Sequence, residues 1–231
     1  MNATALAKAV SHWLEFERLC GRAKLFSESS LKLPVHEFLT AEEPYEVKLE
    51  EELPGIPRKV KAITGRKKSV DFSLRRTGGR QALKNVIESK FINMRRAFAQ
   101  EVLNDLFRLR WLRPQNQTEP CQRWLLIAGT WGDLKVQILS KGSTIRKPIL
   151  DTGLYGVLHR TINKLHTASV RGVSQTQTAR WERAADQLLQ TRLPSAFKTK
   201  LEACSPIQPA QDTDMVCMIW RVIKPVRRHH N

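Results

Sequence analysis

The chain has 231 residues, of which 41% are apolar and 26% charged, so it can bury a core and wholesale disorder is not expected. Its formal net charge of +17 works against compaction through self-repulsion, and points to an anionic partner, either nucleic acid or a membrane surface. No run of about 18 apolar residues offers a bilayer span, and Met1 to Lys24 lacks the charged start, apolar centre and cleavage site of a secretory signal.

In chain order, Thr4 to Gly21 reads as a helix. Leu6, Val10, Trp13, Glu17 and Cys20 follow helical spacing, with Gly21 as the stop. Glu28 to Glu52 is acidic and predicts a helix and an amphipathic strand before the turn Pro54-Gly55-Ile56-Pro57. Two or three strands fit the next stretch, with breaks at Thr64-Gly65 and Thr77-Gly78-Gly79. Met94 to Leu112 predicts a helix with Phe98, Val102, Leu106 and Leu109 on one face. Strands are expected at Arg123 to Ala128 and Leu134 to Leu139, helices at Leu154 to His166 and Thr178 to Leu193, and a last strand at Val216 to Ile223. This is an α/β arrangement around one sheet, in a single domain over residues 1–231. Residues 141–231 carry no recognisable motif.

Two apolar runs carry charge where a buried strand should not. Asp71 lies between Val70 and Phe72, and Glu88-Ser89-Lys90 between Ile87 and Phe91. Strand side chains alternate, so Glu88 and Lys90 project from one face and Ser89 from the other. Carboxylates on two neighbouring strands can hold Mg²⁺, which prefers hard oxygen ligands and keeps several waters. A metal ion so held can supply a nucleophilic water and relief for the leaving oxygen in phosphodiester hydrolysis. Lys90 would orient or deprotonate the water and offset phosphate charge. The backbone carbonyl of Ser89 would be a further metal ligand.

Asp71 followed by Glu88-Ser89-Lys90 at the end of the next strand, then a helix and the strand Trp124-Leu125-Leu126-Ile127, resembles the PD-(D/E)XK, or restriction-endonuclease-like, superfamily. The resemblance covers roughly residues 10–130, within a nuclease-like core of about residues 1–140. It implies a central mixed β-sheet flanked by helices and Mg²⁺-dependent cleavage of nucleic acid, with Mn²⁺ as a substitute and DNA favoured over RNA. It also implies a carboxylate from the first helix, for which Glu17 is the match. Val70 stands where the name motif has Pro. Gln100 is in the region where some members place a motif Gln, but no Tyr follows at the RecB-like spacing. Small stand-alone nucleases of this kind fit bacterial defence or mobile-element biology.

The basic surround suits that reading, because a phosphate backbone is bound by Lys and Arg. Arg58 to Arg113 holds 16 Lys or Arg against Asp71, Glu88, Glu101 and Asp105. Arg75, Arg76 and Arg80 around Thr77-Gly78-Gly79 would clamp the backbone, with Lys67, Lys68 and the helix residues Arg95, Arg96, Arg108 and Arg110 extending the surface. Other chemistries have less behind them. His159 and His166 share a helical face without a third ligand, and Gly78-Gly79 belongs to no GK[ST] or GxGxxG loop. Cys20, Cys121, Cys204 and Cys217 form no CxxC pair, so structural zinc and disulfides are not expected and a reducing, cytoplasmic compartment is. The tryptophans read as core, except Trp131, which sits on a turn where a base could stack. The competing class is a non-catalytic nucleic-acid-binding or assembly protein that retains the fold. A peripheral membrane role ranks last, as no long basic amphipathic helix is present. A homodimer or protein partner through the C-terminal region stays open.

Overall fold

The structure is a computed structural model that describes residues 1–42, 45–52, 69–77, 82–92, 98–112, 120–139, 158, 162, 164–169 and 196–223. The first helix, α1, spans Ala3–Leu19, and Asn2 caps it by accepting from Ala5 N at 3.1 Å. Gly21, at φ +77°, lets the chain leave the helix in the left-handed region. Two 3-10 turns (Ala23–Leu25 and Glu28–Leu31) lead into α2, Lys32–Thr40. Strands β1 (Tyr45–Glu51), β2 (Val70–Arg76) and β3 (Leu83–Phe91) follow, then α3 (Phe98–Trp111) and β4 (Gln122–Thr130). A short helix α4 (Trp131–Leu134) runs into a π turn at Lys135–Leu139. Strands β5 (Leu165–Ser169), β6 (Ala196–Ser205) and β7 (Met215–Ile223) complete the described elements.

All seven strands form one mixed sheet in the order β1-β2-β3-β4-β7-β6-β5. β3 and β4 are parallel, with Glu88 beside Leu125 and Lys90 beside Ile127, and the other pairings are antiparallel. A parallel pair needs a crossover, and α3 supplies it.

The sheet is covered on both faces, which is why Trp124-Leu125-Leu126-Ile127-Ala128 is apolar at every position. On one face Val102, Leu106 and Leu109 of α3 pack against Val86, Leu125, Ile127, Met218 and Trp220. On the other, Leu6, Val10 and Leu14 of α1 and Val35 and Leu39 of α2 pack against Phe72, Ile87, Leu126 and Ile219. On this second face Trp124 Nε1 donates to Asn85 Oδ1 at 2.9 Å, so neither buried polar group is left open.

Three expectations are corrected. Leu134 to Leu139 is helical rather than extended. Thr130 Oγ1 accepts from Asp133 N and donates to Asp133 Oδ2, capping a helical turn, and Leu134 and Ile138 are buried while Val136 between them is exposed. Strand alternation would have put all three on one face. Leu165 and His166 begin strand β5 rather than end a helix, because β6 pairs with them, Leu165 opposite Lys200. β6 itself has no counterpart among the sequence-based elements. Trp131 is buried with its backbone N–H on Asp214 O, so it is not a platform open to a base. The helix expected at Thr178 to Leu193 lies outside the described residues. No helix among the described residues is long and apolar enough to cross a membrane.

Candidate active site

The apolar face between the sheet and α3 is interrupted by charge. Along β3, Val86 and Ile92 belong to that layer, and alternation places Glu88 and Lys90 between them on the same face. Along α3, Asp105 lies in the buried stripe of Val102, Leu106 and Leu109, and Arg108 stands one turn further on.

These side chains meet. Arg108 Nη1 donates to Asp105 Oδ1 at 2.8 Å, and Arg108 Nη2 lies 2.9 Å from Glu88 Oε1 while donating to the carbonyl of Ser69. Lys90 Nζ lies 3.3 Å from Asp105 Oδ2 and donates to both oxygens of Glu28, at 2.8 and 2.9 Å. Asp71 closes the group from β2. The last rung of the β2–β3 ladder on this side is Phe72 opposite Ile87. Beyond it, Asp71 Oδ2 accepts from Ser89 N at 2.7 Å and from Ser89 Oγ at 3.0 Å.

Glu88 and Asp105 are almost wholly buried, and Glu88 Oε1 and Asp105 Oδ2 receive no hydrogen bond. Their neighbouring cations, Arg108 for Glu88 and Lys90 for Asp105, act on them chiefly by charge. Burial, then the Asp105 carboxylate, pushes the Glu88 carboxyl well above its usual range, against the pull of Arg108. Burial likewise raises Asp105 to about 6, although Lys90 and Arg108 oppose the shift. For Lys90, burial acts against the charged form, but Asp105 and the Glu28 hydrogen bonds outweigh it and the ammonium is held above its ordinary value. Lys90 therefore stays protonated across the neutral range.

Of the residues expected at the site, Asp71, Glu88, Ser89 and Lys90 are together. Glu17 is placed elsewhere: both its oxygens take hydrogen bonds from Arg22, at 2.7 Å to Nη2, and Arg22 holds its carboxyl below the usual range. The acidic residue that the N-terminal segment brings to Lys90 is Glu28. Among the basic residues, Arg75 is engaged by Glu51, with Nη2 2.8 Å from Oε1, and Arg76 is exposed at the end of β2. Lys67, Lys68, Arg80, Arg95, Arg96 and the side chain of Gln100 lie outside the described residues.

Sequence reasoning passed over Asp105 and Glu28 as site members, and it placed Arg108 on the nucleic-acid-binding helix surface, whereas Arg108 is engaged by Asp105 and Glu88. Asp105 carries the signal that drew attention to Glu88, an acid set in an apolar stripe. Glu28 has no such mark, because a 3-10 turn has no periodic face long enough to read.

For a divalent metal the donors are of the right kind: carboxylates of Asp71, Glu88 and Asp105 are hard oxygen ligands, and two of their buried oxygens lack a hydrogen bond. Among the described residues, however, no three of the His, Cys, Asp and Glu side chains converge as a ready-made metal group. The reason is visible in the pairings, since Lys90 and Arg108 stand between the carboxylates. Compared with family models, curated proteins and solved structures, the chain matches none.

Proposed function

We propose that the chain is a Mg²⁺-dependent nuclease with a restriction-endonuclease-like core, acting on DNA in preference to RNA. The observation that carries this is the meeting of Asp71 with Glu88 and Lys90 in one buried charged cluster at the open end of the β2–β3 ladder. An Asp on one strand, the Glu-Ser-Lys run at the end of the next, a crossover helix and a parallel strand follow in the order that the resemblance requires. The net charge of +17 supports a polyanionic substrate.

In this reading Asp71 and Glu88 hold the metal, with the Ser89 backbone beside them and Asp105 within the same group. When bound, the ion supplies an activated water and offsets charge on the scissile phosphate. The chain's own residues do the rest. Ser89 N–H and hydroxyl fix one oxygen of Asp71. Lys90, held as an ammonium, orients water or neutralises a phosphate oxygen by donating hydrogen bonds. Its raised pKa argues against a role as the proton-abstracting base.

A second reading, a binding protein that retains the fold without catalysis, is favoured by the two cations lodged among the carboxylates. One experiment separates the two. Supercoiled plasmid and single-stranded RNA are incubated with Mg²⁺ and wild type, Asp71→Ala or Lys90→Ala. Cleavage by wild type that drops at least about a hundredfold in both variants supports the nuclease. Equal cleavage in all three rejects these residues, and retardation of DNA without cleavage supports the binding protein.

A further inference from the structure

We propose that Arg108 is the resident counter-ion of the metal position and gives way to a divalent cation when one binds. The inference rests on the metal-dependent reading above and adds a residue that the resemblance does not supply. Four carboxylates, Asp71, Glu88, Asp105 and Glu28, surround two half-buried cations, Lys90 and Arg108, so with all of them ionised the cluster has an excess of negative charge. Replacing the guanidinium by a doubly charged ion reduces that excess and favours the ionised form of Glu88.

The guanidinium is also poorly fitted to stay. Its Nη1 donates to Asp105 Oδ1 at 2.8 Å and its Nη2 to the Ser69 carbonyl, but its Nε has no partner and its contact with Glu88 Oε1 at 2.9 Å is not a hydrogen bond. A metal ion accepts lone pairs from any direction that its shell allows, so Glu88 Oε1 is better matched to it than to Arg108. The Arg108 side chain is 21% exposed, against 12% for Lys90, 4% for Asp105 and 1% for Glu88, so it is the most solvent-accessible of the four. Lys90 is different: Glu28 grips it with both oxygens, and it remains when Arg108 leaves.

The probe is Mn²⁺, with binding followed by electron paramagnetic resonance on wild type, Arg108→Gln and Arg108→Gln/Glu88→Gln. The expected result is affinity in Arg108→Gln about tenfold above wild type, as when a competing conformer holding most of the population is removed. The added Glu88→Gln should abolish that gain. Wild type is tested in parallel with phenylglyoxal and peptide mass spectrometry, which needs no variant to fold. Saturating Mn²⁺ should raise modification of Arg108 several-fold. Equal Mn²⁺ affinity in wild type and Arg108→Gln, or Arg108 no more reactive with Mn²⁺ bound, overturns the exchange and leaves the metal reading standing. No Mn²⁺ binding by either protein overturns both.

Discussion

Arg108 Nη2 stands 2.9 Å from Glu88 Oε1, yet no hydrogen bond joins them. The pair is held by charge in a place where charge is costly, and the two partners are not equivalent. Glu88 can shed its charge by taking a proton, as its raised pKa indicates, whereas Arg108 cannot.

That asymmetry predicts opposite outcomes for removing either side. Arg108→Ala leaves Glu88 and Asp105 buried with one fewer cation and should cost about 3 to 5 kcal/mol at neutral pH. Glu88→Gln removes an ion that the site disfavours and should leave stability unchanged or higher. Urea unfolding of both variants checks this. A loss in Glu88→Gln above about 2 kcal/mol would mean that the Arg108 attraction outweighs burial.

The titration of Asp105 predicts a pH dependence. Its carboxyl is raised from 3.8 to about 6 in the fold, chiefly by burial. Between those values the folded chain binds the extra proton, so this group's contribution is fully present below about pH 4 and is lost as pH rises through about 6. Relative to Asp105→Asn, wild type should lose on the order of 2 kcal/mol between about pH 4 and about pH 7. Parallel pH profiles for the two proteins would show that Asp105 is ionised in the fold throughout.

Gly129 predicts a packing limit at the end of β3. A Cβ there would meet Cβ of Ile92 at 2.9 Å, next to the hydrogen bond from Ile92 N to Ala128 O at 2.8 Å. Gly129→Ala should therefore cost about 1 to 3 kcal/mol by overpacking, and Ile92→Gly in the same chain, which removes both Cβ and Cγ2 of Ile92, should recover part of it. Thermal melts of the single and double variants test the coupling, and strictly additive losses would place the strain elsewhere.

The thiols predict a labelling pattern. Cys20 is exposed, while Cys121, Cys204 and Cys217 are buried. Burial also raises the Cys121 thiol to about 11, which further suppresses the reactive thiolate. A disulfide exchange reagent should titrate one thiol quickly in the native protein and four in urea. Rapid reaction of two or more native thiols would contradict the packing of β4, β6 and β7.

Some of this protein is local physics and was open to reading in the chain. Alternation along Ile87-Glu88-Ser89-Lys90-Phe91 follows from extended backbone alone, so Glu88 and Lys90 sharing a face needed no tertiary knowledge. The stripe Val102-Leu106-Leu109 and the stop at Gly21 are of the same kind. Leu134 to Leu139 shows where such reading fails: Leu134, Val136 and Ile138 alternate with Lys135 and Gln137, but the Thr130 cap commits the backbone to a helical turn. β5 and β6 were hidden because a strand's existence depends on its partners, and their pairing joins residues some 30 positions apart.

The site divides in the same way. Asp71, Glu88 and Lys90 announce themselves as charges inside apolar runs, which the chain alone displays. Which carboxylate completes the group was decided by the fold. Glu17 and Glu28 are both acids of the N-terminal segment. Only the path of the chain past Gly21 turns Glu28 onto Lys90 while Arg22 engages Glu17. Asp105 and Arg108 reach Glu88 because the β3–β4 crossover lays α3 over that face of the sheet. Side-chain direction is set by neighbouring backbone and is written locally. Convergence of side chains from distant elements is set by how a whole sheet and its helices pack, and appears only when they do.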